Sequence, residues 1–101
     1  MKKGKTKQGR YTMVRTYSAG VFAGYLEGRT GKEVVLTDAR RIWYWSGAAS
    51  LSQLAQSGTS DPVNCKFPEP VDRVTLTEAI ELIDITPQAQ ASIAAVPVWR
   101  K

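Results

Sequence analysis

The chain has 101 residues, 14 Lys or Arg against 9 Asp or Glu, no histidine and one cysteine. That is the length of one domain, able to bury a modest core but not two. The missing histidine excludes His-based triads and histidine zinc sites, and a lone Cys65 excludes an intramolecular disulfide framework or a Cys-rich metal site.

The net charge of +5 comes from one place. Lys2, Lys3, Lys5, Lys7 and Arg10 stand in the first ten residues with no acid, and basic and acidic residues balance over 11–101. Residues 1–10 therefore read as a basic flexible leader, and 11–101 as a single small domain. Such a leader gives weak nucleic-acid contact through counterion release, or merely keeps the chain in solution. No apolar run approaches the roughly 18 residues of a membrane span, and the N-terminus lacks an apolar signal core. The expectation is a cytoplasmic protein without membrane contact.

From residue 11 the pattern is that of strands. β-branched and aromatic residues dominate 11–17 with partial alternation, "SAG" breaks the run, and 21–27 resumes it. "GRTG", 28–31, reads as a hairpin loop before a strand over 32–36. Thr37-Asp38 reads as a bulge or turn ahead of a strand over 40–45. Ser50 with Gln53 fits a capping box, Leu51, Leu54 and Ala55 share a helical face, and Gly58 stops the helix.

Residues 57–70 read as loop and proline-restricted backbone, with Phe67 in the core and Cys65 a small structural thiol. Residues 71–76 read as a strand. "TEAIELI" fits either period and is assigned to strand at 82–85, with Glu78 and Glu81 as a solvated edge. Thr86-Pro87 opens a short helix reaching about Ala95, stopped by Pro97. Val98 and Trp99 then dock back or serve a subunit contact. The expected class is α+β, a mainly antiparallel sheet with one or two short helices.

The unusual stretch is "RRIWYW", 40–45. On a strand, Arg41, Trp43 and Trp45 share one face, and Arg40, Ile42 and Tyr44 share the other. Ile42 and Tyr44 read as the buried set, with Arg40 near the edge. Indoles stack on nucleobases and arginine grips phosphate through a rigid fork, so a base-plus-phosphate ligand suits the combination. The competing assignment makes the tryptophans core or subunit anchors. Both hold if the ligand sits at a seam between subunits. Tyr17-Ser18-Ala19-Gly20 is a second candidate, with an aromatic, a hydroxyl and small residues that let a ligand approach the backbone. No Walker loop or dinucleotide fingerprint occurs, no carboxylate pair is selected by spacing, and no metal or cofactor is expected.

"MVRTYSAGVFAG", "KEVVLTDARRIWYWSGAASLSQLA", "CKFP" and "VPVW" together resemble a family of short, uncharacterised proteins of tailed bacteriophages and prophages. The resemblance covers roughly 11–100. It implies a small accessory protein of infection, and several such proteins are sponges, homo-oligomers that sequester cyclic nucleotide immune signals without cleaving them. The resulting expectation is a non-enzymatic, homo-oligomeric binder of a cyclic or related signalling nucleotide in the infected host's cytoplasm. The residues assigned to it rest on chemistry. Arg40 or Arg41 meets phosphate, Trp43, Trp45 or Tyr17 stacks a base, and Ser18 or Ser50 reads polar edges. The alternative is a phage interaction module that uses the aromatic strand as an interface and the leader on nucleic acid.

Overall fold

The structure is a computed structural model, and it describes residues 9–100. Five strands form one antiparallel sheet: β1 (Tyr11–Thr16), β2 (Val21–Thr30), β3 (Glu33–Arg41), β4 (Val71–Leu76) and β5 (Ala79–Asp84), in spatial order β4-β3-β2-β1-β5. Two short helices accompany it, α1 (Leu51–Ser57) and α2 (Pro87–Ala94), with a 3₁₀ turn at Pro62–Asn64. The α+β class expected from the sequence is the class observed.

β4 and β5 are the opposite edges of this sheet, yet only Thr77 and Glu78 join them. Four strand spacings of about 4.8 Å would hold flat edges about 19 Å apart. Three Cα steps span at most about 11 Å. The sheet therefore has to curl until its edges approach. The Ala79 N–H donates to the Lys32 carbonyl at 3.0 Å, tying the start of β5 to the start of β3.

Inside the curl lie Val14, Phe22, Val34, Leu36, Ala39, Leu76 and Ala79, which include residues from every strand. A second core forms on the outer face, where Met13, Ala23 and Ile42 meet Leu54 and Ala55 of α1, Ala89 and Ile93 of α2, and Phe67. Both faces of β1 are thus covered. That is why Met13 and Val14, adjacent in sequence, are both fully buried and the 11–17 alternation is imperfect.

Local chemistry accounts for the helix ends. The Ser50 hydroxyl accepts from the Gln53 N–H at 3.1 Å, and the Gln53 side chain accepts in return from the Ala49 N–H at 2.9 Å. Gly58 caps α1 through a bond to the Leu54 carbonyl. Thr86 accepts from the Ala89 N–H, with Pro87 opening α2. Val98 bridges Phe67, and the Trp99 N–H donates to the Phe67 carbonyl, so the C-terminal segment docks back on its own chain.

Four expectations need correction. The hairpin loop is only Gly31-Lys32, because Thr30 pairs with Glu33 and β2 runs on through "GRT". β3 ends at Arg41, so 40–45 is not one strand, and Tyr44 meets Lys66 as an isolated bridge. Side-chain alternation consequently fails after Trp43: Ile42 is buried, but Tyr44 is half exposed and Trp45 packs partly against the helix-side core. Finally, Gly9 and Arg10 lie against the sheet, the Leu26 N–H donating to the Arg10 carbonyl at 2.9 Å. The remaining leader, 1–8, lies outside the described residues.

The expected irregularity at Thr37-Asp38 is present. Tyr25 pairs with Thr37 while Ala23 pairs with Arg40, so β3 carries an extra residue there, and Asp38 sits at φ 48°.

Candidate functional site

The residues singled out in the sequence separate into three places. Ser18, Arg41 and Trp43 come together with Ala19, Gly20 and Val21 around a cleft of about 260 Å³, between the β1–β2 turn and the end of β3. The turn is tightened by Thr16, whose hydroxyl donates to the Gly20 carbonyl and accepts from the Ala19 N–H, both at 2.8 Å. Arg41 pairs across the ladder with Phe22, its guanidinium 4.3 Å from that ring's centroid. One Nη also donates to the Ala19 carbonyl. Strand, ring and turn thus orient a cation that is still exposed. A guanidinium carries five N–H donors, so the Ala19 bond leaves capacity for an anion. Trp43 is 64% exposed, an indole the monomer's own core does not use.

Tyr17 is next to this cleft but lines another, with Lys32, Glu78 and Ile80. The residue is 77% exposed while its N–H is tied to the Glu78 carbonyl. Ser50 is occupied as the cap of α1, and Trp45 is a packing residue. Glu81 is on the solvated edge, as expected, where it pairs with Arg15 at 2.9 Å.

Arg40 does not join Arg41. Adjacent residues on a strand point to opposite faces, and Arg40 lies at 7% exposure on the helix-bearing side, not near an edge. Its guanidinium donates to the Ile93 carbonyl at 3.1 Å, the Phe67 carbonyl at 3.3 Å and the Pro68 carbonyl at 3.4 Å. It also stands 5.4 Å from the Phe67 ring centroid. These bonds fasten the end of α2 to the 67–68 segment. Burial pulls the Arg40 pKa down, opposed by the phenol of Tyr11.

Arg40 instead lines a cavity with Tyr11, Tyr25, Asp38 and Gln90, none of the last four among the site residues expected from the sequence, where Asp38 stood only as a bulge or turn former. Tyr11 and Tyr25 form a cross-strand pair with ring centroids 5.1 Å apart at 68°. Burial pushes the Tyr11 pKa from 10.0 up to about 12, with Tyr25 and Asp38 adding to the rise and Arg40 opposing it. Unfolded chains therefore ionise Tyr11 first. Its contribution to stability is complete below pH 10, declines above it and is gone as pH passes about 12. Urea midpoints measured across that range should fall, and more shallowly in Tyr11→Phe. Parallel profiles for the two proteins would refute the assignment.

Cys65 is buried against the segments on either side of α1, where its thiol accepts from the Ser46 N–H at 3.4 Å. Among the described residues no group of three or more Cys, Asp or Glu could hold a metal ion, and no helix is long and apolar enough to cross a membrane.

A family model described as "Domain of unknown function (DUF6948)" matches residues 9–93. The chain belongs to that family. The match begins where the described fold begins and takes in both clefts, the lining of the Arg40 cavity except Ala94, and α2 up to Ile93. No curated protein and no solved structure matches the chain.

Proposed function

We propose that this DUF6948 domain is a non-enzymatic binding protein that holds a cyclic or related small nucleotide in the Ser18–Arg41–Trp43 cleft and acts by sequestering it. The observation that carries the reading is the convergence of an exposed indole, an oriented arginine and a hydroxyl-bearing small-residue turn on one 260 Å³ space. Trp43 stacks the base, a contact worth roughly 1–3 kcal/mol. Arg41 meets phosphate through its free fork edge, and Ser18 offers a donor and an acceptor to the base or sugar. Arg40, Trp45 and Ser50 take no part. The resemblance to tailed-phage proteins supports an infected bacterial cell as the setting, where binding alone would silence a nucleotide signal.

Calorimetric titration with cyclic di- and trinucleotides tests this. Arg41→Ala and Trp43→Ala should each weaken affinity by about tenfold or more with the fold intact. Unchanged affinity in both would remove the cleft from the reading.

A second reading is favoured by exposed aromatic surface. Tyr44 and Trp99 flank Lys66, whose ammonium lies 5.9 Å and 5.5 Å from their ring centroids, and Trp43 precedes them. Such a patch suits a protein contact, including one between copies of the chain. In that case mass should rise with concentration, and Trp99→Ala should reverse it. Any DNA binding should vanish when residues 1–8 are removed and be steeply salt-dependent.

A further inference from the structure

A second cavity, of about 310 Å³, opens on the helix-bearing side of the sheet between β1–β3 and α2. Its lining includes Tyr11, Tyr25, Asp38, Arg40, Pro70 and Gln90. Three features distinguish it from a packing defect. The first is the bulge in β3, which inserts a residue opposite β2 and holds Asp38 at φ 48°. Non-glycine residues seldom adopt that conformation, and bulges re-aim side chains beside binding sites.

The second feature is the tyrosine pair, whose 68° interplanar angle presents one ring face and one ring edge. The third is polar placement. Gln90 Nε2 donates to the Tyr25 oxygen at 2.7 Å, so the phenolic proton of Tyr25 remains a donor for another group. Every polar group here has a position fixed by its own element: Tyr11 on β1, Tyr25 on β2, Arg40 on β3 and Gln90 on α2.

Charge narrows the occupant. One cation, Arg40, and one anion, Asp38, face the same space. A charged ligand would be attracted by one and repelled by the other, whereas a neutral ring with a donor edge and an acceptor edge suits both. Asp38 is engaged within the protein, but a carboxylate offers about four lone-pair positions, so a further N–H can be accepted. The volume lies at the small end of the range for ligand pockets, about 300–1,000 Å³, and suits a single base better than a whole nucleotide.

We infer that this cavity is a binding site for a neutral planar heterocycle of the nucleobase class, stacked against the Tyr11–Tyr25 pair with its donor edge toward Asp38 and its acceptor edge toward the Tyr25 hydroxyl. It is separate from the Ser18–Arg41–Trp43 cleft and does not depend on that cleft's ligand.

The test is an amide-resolved NMR titration of the full chain with free adenine, cytosine and uracil, which carry no phosphate. Saturable shifts should centre on Tyr25, Asp38 and Gln90 for at least one base. Tyr25→Phe, checked for a native spectrum, should weaken binding about fivefold or more, the cost of one lost hydrogen bond, and Gln90→Ala, which releases the Tyr25 hydroxyl from its orienting donor, should weaken it by a smaller factor. Arg41→Ala should leave it unchanged. The inference is overturned by linear, unsaturated shifts with all three bases, by affinity undiminished in both variants, or by shifts centred on Trp43.

Discussion

Arg40→Ala should unfold the protein at a temperature at least about ten degrees lower, whereas Arg41→Ala should move the midpoint only slightly. The two arginines are neighbours in sequence and differ in what they hold. Arg40 is buried and donates to three carbonyls, of Ile93, Phe67 and Pro68. Removing it takes a charged donor from all three, leaving the Phe67 and Ile93 carbonyls only their backbone bonds from Trp99 and Val96, and opens a hole beside Phe67, which is itself fully buried. Bonds from a charged donor contribute about 1.5–3 kcal/mol each and are not additive, so a loss of about 3–5 kcal/mol is expected. For a domain of this size each kcal/mol is worth about 4–8 °C. Arg41 is exposed and keeps one carbonyl bond and one ring contact, worth about 1 kcal/mol together. Arg40→Met fills the hole but cannot donate, so it should recover only part of the loss. Equal midpoints for the two alanine variants, measured by calorimetry, would contradict the division of roles.

Gly47→Ala should cost about 3 kcal/mol, roughly twice the cost of Gly31→Ala. Both glycines have positive φ, +82° and +60°, so both substitutions carry the left-handed penalty of about 1–2 kcal/mol. Their surroundings differ. A Cβ on Gly31 meets nothing within 4 Å. One on Gly47 would stand 2.5 Å from the Asp61 nitrogen and 2.8 Å from the Ser60 nitrogen, and backbone cannot swing aside. The contact between residues 46–47 and 59–61 would have to open, breaking the Ser60 N–H bond to the Gly47 carbonyl and the Ser46 hydroxyl bond to Asp61 at 2.9 Å. Cys65, buried against that contact, gives an independent readout: its reaction with a thiol reagent should quicken markedly in Gly47→Ala and not in Gly31→Ala. Similar midpoints and similar thiol rates would show that the contact does not depend on this glycine.

The elements most legible in the sequence are those fixed by neighbouring residues. Ser50 with Gln53, and Thr86 with Pro87, mark the helix starts because capping is a local hydrogen bond. The bulge near Asp38 is likewise suggested by an acidic turn former inside an apolar run. The curl of the sheet is not local. It follows from a two-residue link between edges that only strand order makes distant. Alternation over 40–45 correctly groups Arg41 with Trp43, and it fails at Tyr44 because the chain has left the ladder. What alternation could not supply was the destination of Arg40, since its acceptors lie 27, 28 and 53 residues away. The Tyr11–Tyr25–Gln90 cluster was hidden for the same reason: it requires both the β1–β2 register and the docking of α2.

The nucleotide-sequestering role is tested most directly by a thermal-shift screen of the intact chain against cyclic di- and trinucleotides, cyclic ADP-ribose isomers and a short DNA duplex, at low and high salt. A ligand present at about a hundred times its dissociation constant adds roughly 2.7 kcal/mol, a rise of many degrees in a domain this small. Such a rise is expected with one cyclic nucleotide, persisting at high salt and lost in Arg41→Ala. A flat response to every nucleotide at both salt concentrations, with or without salt-sensitive DNA binding, would contradict that role.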